Sequence, residues 1–354
     1  MTETIRLATR GSDLALRQAQ SVADQLRGRR REVELVEVST TGDEVRDELI
    51  HRLGKTGAFV RSLDEKVLDG EVDAAVHSLK DMPTEFPENL VVAGLPERAA
   101  PGDVLLTPEG TTLEDLPDGA TVGTSSLRRK AQLLAARPDL DVQPLRGNVD
   151  TRVQKLLAPT LQAEHERRVK AEEGEIEASF NRSVDDWFDD LTELERQALG
   201  REPETEFDAI VLAEAGLERS NLLSQLDYER LPETFVPAPG QGTIAVTARD
   251  GELAERLHAD LDHPRTRVET TVERTILGTL GGGCVAPIGV YAVLQGEFVH
   301  TRVRVLSQDG TEEIEATKDV PAEKHPSAAR EFAAELADRG AAELIERARK
   351  ETGE

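Results

Sequence analysis

The sequence predicts an α/β protein made of two similar units and a smaller α+β unit. Short β-branched segments alternate with helical patterns from the N-terminus, and the alternation restarts at about residue 100. From about residue 265 the order changes to one helix, three strands and a final helix. Alternating strands and helices are typical of parallel sheets, in which ligands bind where strands end and helices begin.

The first unit is predicted to contain four strands and two helices. Ser12 is placed to cap a helix over residues 12–28, and a second helix, “GAFVRSLDEKVLDG”, ends at Gly70. The strands are the apolar segments “IRLAT”, “EVELVEV”, “DAAVH” and “LVVAGL”.

The second unit repeats this pattern. Its helices begin at Ser126, extending to about Arg137, and at Asn148. Its strands are “DVLLT”, “ATVGT”, “DVQPL” and “DAIVLA”. Residues 158–206 interrupt the alternation with a strongly charged, mostly helical insertion. Its acidic runs favour a solvated face, with a partner-binding surface as the alternative.

The third unit follows the turn and strand of “VPAPGQGTIAVTAR”. A helix over “RTRVETTVERTILGTL” leads into a glycine-rich loop that holds Cys284. The strands “GVYAVL”, “EFVHTRVRVLS” and “EEIEATKDV” come next. A single helix from about Pro326 to Arg349 is predicted to complete this unit.

The charge balance excludes several classes of partner. The chain has 69 acidic and 43 basic residues, a net charge of -26, and only 3% aromatic residues. Such a surface repels nucleic acid and anionic lipid and offers few rings for base stacking. With no long apolar run and no secretory signal pattern, we expect a cytoplasmic protein without a membrane partner. The acidity also fits a halophilic-type surface adapted to concentrated salt.

Basic residues are concentrated in residues 121–155, which hold seven of them against three acidic residues. A small anionic ligand would explain this stretch in so acidic a chain. Arg128 and Arg129 fall in the first turn of a predicted helix, where the helix dipole disfavours cations. An anion bound at this helix start would remove the conflict, whereas solvated surface arginines are the alternative.

Asp81 is an acidic residue among otherwise basic strand ends. In “HSLKDMP” it follows Lys80, so it either pairs with that lysine or stabilises a cation formed during a reaction. His77 in the same segment is interpreted as structural, with a ligand or base role as the alternative. No other residue near it stands at metal-ligand spacing, so we predict no metal site.

Cys284 is the only cysteine of the chain and has no partner for an internal disulfide. A lone cysteine is commonly a small buried residue. The three preceding glycines indicate instead a loop that a bulky group can approach closely and that exposes the thiol. The residues alone leave both hypotheses open.

The motifs taken together resemble those of the porphobilinogen deaminase, or hydroxymethylbilane synthase, family. The resemblance covers nearly the whole chain except residues 158–206, and its segments stand in the family's order. These segments are “LATRGSDLAL”, “GAFVRSLDE”, “DAAVHSLKDMPTEFP”, “VGTSSLRRKAQL”, “RPDL”, “LRGNVDTR”, “FDAIVLAEAGLER”, “PAPGQGTIAV” and “GGGCVAPIG”. No single segment is decisive, but their shared order is specific.

The resemblance implies a transferase of porphyrin and heme biosynthesis. It implies that four porphobilinogen molecules are joined head to tail with loss of ammonia, and that linear hydroxymethylbilane is released by hydrolysis. A dipyrromethane cofactor is implied as the primer, attached through a thioether to Cys284. Asp81 matches the family's catalytic aspartate, which balances a transient cation among pyrrole N–H groups.

The resemblance also implies which residues bind the carboxylates of the pyrrole rings. The residues expected to bind the cofactor are Lys80, Thr124, Ser126, Arg128, Arg129 and Arg152. The residues expected to bind the substrate are Arg10, Ser12, Phe59, Arg146, Arg219 and Gln241. The family's lid lysine is replaced here by Thr56, with Lys55 one residue earlier. A mobile segment is expected around residues 42–58.

The implied fold has two periplasmic-binding-protein-like (type II) α/β lobes plus a small α+β C-terminal domain that carries the cofactor. Lobe 1 is expected to comprise residues 1–98 and 241–262, and lobe 2 residues 103–236 with the insertion at 158–206. The third domain is expected to comprise residues 265–354. We expect a monomer.

Two other functions remain as alternatives. A non-catalytic two-lobed protein for a small anion would share the strand-end sites, but it would not need Cys284 or the third domain. A transferase of nucleotides would need a phosphate-binding loop, and the sequence has neither G-x-x-x-x-G-K-[ST] nor a dinucleotide fingerprint. The deaminase hypothesis explains more of the motifs.

Overall fold

A computed structural model describes residues 3–28, 31–38, 58–202, 204–282 and 286–352. Cys284, Lys55, Thr56 and nearly all of the segment 42–58 lie outside the described residues. The strands are β1 (Glu3–Arg10), β2 (Arg31–Val38), β3 (Ala74–Ser78), β4 (Leu90–Gly94), β5 (Asp103–Leu106), β6 (Thr121–Gly123), β7 (Asp141–Gln143), β8 (Ala209–Ala213), β9 (Tyr228–Arg230), β10 (Ile244–Arg249), β11 (Ile288–Gln295), β12 (Phe298–Leu306) and β13 (Glu313–Pro321).

The helices are α1 (Asp13–Leu26), α2 (Ala58–Leu68), α3 (Leu127–Ala136), α4 (Val149–Glu172), α5 (Val184–Asp190), α6 (Glu193–Leu199), α7 (Glu214–Arg219), α8 (Glu252–Leu261), α9 (Pro264–Thr279), α10 (His325–Asp338) and α11 (Ala341–Thr352). A 3-10 turn over Leu79–Asp81 follows β3. No helix in the described ranges is both long and apolar enough to cross a membrane.

Two five-stranded sheets have the same arrangement. Their strand orders are β2-β1-β3-β10-β4 and β7-β6-β8-β5-β9. In each sheet the first three strands are parallel, and the fourth runs antiparallel to the third. The sheets confirm the two predicted α/β lobes. Because β10 joins the sheet of β1 to β4, the first lobe is discontinuous in sequence, while the residue boundaries of the domains remain predictions.

Both faces of each sheet are covered. In β1, Leu7 packs in a cluster with residues of α1 and α8, whereas Ala8 packs on the opposite face with residues of α2. Successive strand residues point to opposite faces, so both sets become buried. This double burial explains why the central strands are continuous apolar segments in the sequence.

The C-terminal domain is an antiparallel sheet, β11-β12-β13, packed against helices. Its core joins residues of α9, α10 and α11 to the inward side chains of the sheet, including Ile276, Val290, Val303, Phe332 and Leu344. This arrangement confirms the predicted small α+β domain.

The prediction of a single C-terminal helix is wrong. Helices α10 and α11 are separated at Gly340, whose φ is +98°. A helix cannot continue through this left-handed region, which glycine adopts without strain. Helices α7 and α8 and the short strand β9 were not predicted, although in α8 the buried residues Ala254, Leu257 and Leu261 recur at helical spacing.

The charged segment at 158–206 is mostly helical, as predicted, but part of it belongs to the core of lobe 2. Helix α4 continues through Pro159 to Glu172. Helix α6 packs against α4, and Leu191 and Ala198 are buried there. The end of this segment is therefore part of the fold of lobe 2 and not only a solvated insertion.

Candidate active site

Strand ends from each lobe collect polar side chains at one edge of each sheet. The carboxyl ends of parallel strands share an edge, which places the residues after β1 and β3 together, and likewise those after β6, β7 and β8. The antiparallel strands β10 and β5 begin at these same edges, because Ile244 pairs with Ser78 and Asp103 pairs with Ala213. Each site edge therefore contains strand starts as well as strand ends.

Arg128 and Arg129 are buried and share the carboxylate of Asp103. Arg129 Nε donates to Asp103 Oδ1 at 3.0 Å, and Arg129 Nη2 lies 2.8 Å from the same oxygen. Arg128 Nη2 lies 2.8 Å from Asp103 Oδ2, an ion-pair contact without hydrogen-bond alignment. Burial raises the pKa of Asp103, but the two guanidinium groups outweigh it and leave the pKa well below its ordinary value.

The sequence predicts an external anion that offsets the two cations in the first turn of α3, with solvated arginines as the alternative. Asp103 supplies one negative charge from within the protein. The two arginines are therefore partly compensated rather than solvated, and one positive charge of the pair remains for a ligand.

Gln241 holds the segments that join the lobes. Its Nε2 donates to Asp103 Oδ1 at 2.8 Å and to the carbonyl of Pro101 at 2.6 Å. Its Oε1 accepts from Arg128 Nη2 at 3.4 Å. Arg219, at the end of α7, donates to the neighbouring carbonyl of Gly242 at 2.7 Å. The predicted substrate residues Gln241 and Arg219 thus contact the connection between the lobes.

Lys80 and Asp81 of lobe 1 lie near the arginines of lobe 2. Burial lowers the pKa of Lys80, Asp81 opposes this effect, and Arg129 adds to it. Burial also lowers the pKa of Arg152 to about 10, with Arg129 adding to the effect and Asp81 opposing it. We call Lys80, Arg128, Arg129 and Arg152 the cationic cluster. Its four cations share the two carboxylates of Asp81 and Asp103, so the cluster has excess positive charge.

Polar side chains cap the helices that begin at the site. Ser12 Oγ accepts from the amide of Ala15 at 3.4 Å, and Ser126 Oγ accepts from the amide of Arg129 at 3.4 Å. These caps fix the starts of α1 and α3 at the site edge. The other predicted polar residues occupy the same edge, with half-buried side chains at Arg10 and Arg146 and a buried one at Thr124.

His77 has structural partners. Its Nε2 lies 3.0 Å from Asp64 Oδ1 and 3.1 Å from Thr247 Oγ1, and Thr247 donates to the same carboxylate oxygen at 2.7 Å. All three residues are buried, which supports the structural interpretation of His77. In the part of the chain that the structure describes, no group of three or more histidine, cysteine or acidic residues could hold a metal.

For two predicted site residues, the whole residue or its side chain lies outside the described part of the structure. Cys284 falls in the gap between Gly282 and Ala286. Phe59 lies at the start of α2, with its side chain outside the described part of the structure. The structure therefore brings together the cationic cluster and Asp81, while the roles of Cys284 and Phe59 remain predictions.

The structure adds a buried ion pair that the sequence does not suggest. Glu273 in α9 accepts from Arg98 Nη1 at 2.8 Å and Nη2 at 3.1 Å, and from the amide of Gly240 at 2.7 Å. Burial raises the pKa of Glu273, and Arg98 opposes this effect.

The functional role of Asp103 was also missed, although the sequence contains a signal for it. Asp103 follows “PG” at the start of an apolar strand, where a buried carboxylate needs a partner.

Two sequence models of one family match most of the chain. The model described as porphobilinogen deaminase, dipyromethane cofactor binding domain, matches residues 5–164 and 192–256. The model described as porphobilinogen deaminase, C-terminal domain, matches residues 268–340. These matches confirm the family resemblance and leave out residues 165–191, which lie within the charged insertion.

Individual proteins are similar over nearly the full length. A probable porphobilinogen deaminase of Halobacterium salinarum is 53% identical, covering 99% of each chain. One of Methanococcoides burtonii is 39% identical, covering 97% of this chain and 96% of the relative. A solved nutrient binding protein of Burkholderia cenocepacia, bound to methionine, is 13% identical over 72% of this chain and 89% of its own, with a TM-score of 0.35. That last similarity is too low to support an argument.

Proposed function

Because the chain belongs to the porphobilinogen deaminase family, we propose that the cationic cluster and Asp81 form the active site of this transferase. The enzyme joins four porphobilinogen molecules head to tail on a dipyrromethane primer, with loss of ammonia, and releases linear hydroxymethylbilane by hydrolysis. One observation carries the location of the site. Four cations share two carboxylates there, in a chain whose net charge is -26.

The residues present fit a group with several carboxylates. Arg128 Nε is buried and has no hydrogen-bond partner among the described residues, so this donor is available to a ligand. The lowered pKa values of Lys80 and Arg152 indicate that added negative charge would stabilise their cations. Acetate and propionate groups on pyrrole rings supply such charge, and guanidinium groups bind them in a bidentate manner.

We assign one set of residues to the cofactor and another to the substrate. Cys284 is assigned as the attachment point of the dipyrromethane, since the preceding glycines leave room for a bulky group. When bound, this group supplies a pyrrole ring whose free α-carbon is a nucleophile. Its carboxylates are assigned to Lys80, Thr124, Ser126, Arg128, Arg129 and Arg152. Porphobilinogen is assigned to Arg10, Ser12, Phe59, Arg146, Arg219 and Gln241.

Asp81 is assigned two roles. It stabilises the positive charge that forms in the reaction, and it accepts the proton that is released. Its side chain is exposed, yet close enough to Lys80 and Arg152 to affect the pKa of both. A carboxylate here accepts hydrogen bonds from pyrrole N–H groups. It also stabilises the positive charge that develops on porphobilinogen as ammonia leaves. The same carboxylate can accept the proton that a pyrrole α-carbon releases.

We also infer that the enzyme acts as a monomer in the cytoplasm, without a nucleic-acid partner. The net charge of -26 supports the exclusion of polyanions, which such a surface repels. Adaptation of this acidic surface to concentrated salt remains an expectation from composition.

Product analysis tests the proposed reaction. The purified full-length protein is incubated with porphobilinogen, and the released ammonia and tetrapyrrole are measured over time. We expect four ammonia molecules for each linear tetrapyrrole released, as the reaction requires. Porphobilinogen that binds but remains unchanged would favour the alternative of a non-catalytic anion-binding protein.

A further inference from the structure

Arg274 of the C-terminal domain contacts the backbone on both sides of Asp81. Its Nη1 donates to the carbonyls of Leu79 and Met82, each at 3.2 Å, and its Nη2 donates to the carbonyl of Pro83. The first carbonyl precedes Asp81 and the other two follow it. A single guanidinium group therefore holds the chain before and after Asp81.

Further contacts dock the same segment onto α9. The guanidinium carbon of Arg274 lies 5.8 Å from the centre of the Phe86 ring. One turn further along α9, Gly278 packs against Thr84, since a Cβ at Gly278 would lie 3.4 Å from Thr84 Cβ. Residues 79–86 thus follow the surface of α9 rather than standing free from it.

Helix α9 is itself held in place by the neighbour of Arg274. Glu273 is fully buried, and besides Arg98 and Gly240 it accepts from the amide of Ala292 in β11 at 2.9 Å. These partners come from the connection between the lobes and from the C-terminal sheet. The helix is therefore a fixed support for the turn that carries Asp81.

In the sequence, the same helix precedes the residue that is assigned to carry the cofactor. Helix α9 ends at Thr279, and Cys284 follows five residues later in the sequence. Arg274 therefore connects the turn of Asp81 to the helix that precedes the attachment loop. A shift of this turn would move the Asp81 carboxylate relative to α9.

We propose that Arg274 is a positioning residue that fixes Asp81 relative to the cofactor-bearing domain. The inference rests on the proposed function, because it takes Asp81 as the catalytic carboxylate. The planar guanidinium suits this task, since it presents several donors in fixed directions and stays charged. A lysine has donors too, but its single ammonium cannot reproduce the same spread of contacts.

Kinetics of Arg274→Met and Arg274→Lys test the proposal. Both variants are purified as holoenzyme, and the intact mass is checked before the assay so that only chains with cofactor are compared. We expect Arg274→Met to lower kcat about 10- to 100-fold with little change in KM, because a misplaced catalytic group costs rate rather than substrate affinity. Arg274→Lys should recover part of this loss. Arg265→Met, on the same helix, should retain wild-type kcat, because Arg265 contacts Glu269 and Leu294 instead.

A double variant separates positioning from a merely structural role. If Arg274 acts through Asp81, adding Arg274→Met to Asp81→Asn should lower kcat little further, since the group being positioned is already lost. Full multiplication of the two losses, or wild-type kcat in Arg274→Met, would overturn the proposal. If Asp81→Asn alone keeps wild-type kcat, or the wild-type chain carries no cofactor, the proposed function fails instead.

Discussion

Replacing Asp81 by asparagine is expected to lower kcat about 100- to 10,000-fold with little change in KM for porphobilinogen. Asparagine keeps the size and one acceptor oxygen but removes the negative charge. The variant therefore loses the stabilisation of the cation that forms as ammonia leaves. Because Asp81 is exposed, folding should be preserved. Steady-state kinetics on chains whose cofactor content is known from their mass measure the effect.

Glu85→Gln is the matched control for this substitution. It removes one negative charge from an exposed position in the same segment, four residues away, and should leave kcat unchanged. An Asp81→Asn enzyme with more than about a third of the wild-type kcat would contradict charge stabilisation by Asp81.

Asp103→Asn is expected to lower the free energy of unfolding by about 3–5 kcal/mol. Asp103 is only 2% exposed and is the shared carboxylate of Arg128 and Arg129. The substitution leaves both guanidinium groups buried without their counter-charge. Urea unfolding at one fixed salt concentration, with wild type and variant side by side, measures the loss.

The same carboxylate predicts a pH dependence with a definite sign. The pKa of Asp103 is lower in the folded state than its unfolded value of about 4, so in acid the unfolded chain binds this proton more readily. Its stabilisation is complete above about pH 4 and is lost as the pH falls through the folded pKa. The difference in stability between wild type and Asp103→Asn should therefore shrink in acid.

Asp139→Asn provides the comparison at the surface. The Arg137 guanidinium holds the pKa of Asp139 at about 2, but Asp139 is exposed, and the Arg137 side chain also donates to the carbonyls of Leu113 and Leu116. Removing the charge of Asp139 should lower the free energy of unfolding much less than Asp103→Asn does, since ion pairs in contact with solvent contribute little. An Asp103→Asn variant as stable as wild type would show that the buried arginines do not depend on Asp103.

Most of the fold could be predicted from hydrophobic periodicity and capping residues. Ser12, Ser126 and Asn148 mark the starts of α1, α3 and α4, where the structure shows their side chains capping the helices. The break at Gly340 was harder to predict, because apolar residues continue at helical spacing on both sides of it. The sequence signal was the glycine itself, a residue that commonly ends helices, and its left-handed backbone separates α10 from α11.

The site was predictable where it lies at the ends of parallel strands. Lys80 and Asp81 follow β3, and Arg128 and Arg129 follow β6, so each lobe contributes residues in the expected manner. Asp103 lies instead at the start of β5, and it reaches the site only because β5 runs antiparallel to β8. Strand direction is set by long-range pairing, so a local pattern cannot reveal it.

Contacts between domains could not be predicted from local sequence patterns either, because they join residues that are far apart in the chain. Arg274 and Leu79 are 195 residues apart in the sequence, and their contact depends on how the C-terminal domain packs against lobe 1. In the sequence Arg274 is one polar residue of a helix, equally suited to a solvated surface. Its three carbonyl partners become evident only once the domains are assembled.

The intact mass of the purified protein, measured beside a Cys284→Ser variant, tests the assignment of this chain as a primer-carrying enzyme most directly. We expect the wild-type chain to carry the added mass of one dipyrromethane and the variant to have the mass of its sequence alone. A wild-type chain that stays unmodified, even after incubation with porphobilinogen or hydroxymethylbilane, would contradict the covalent primer and the role given to Cys284.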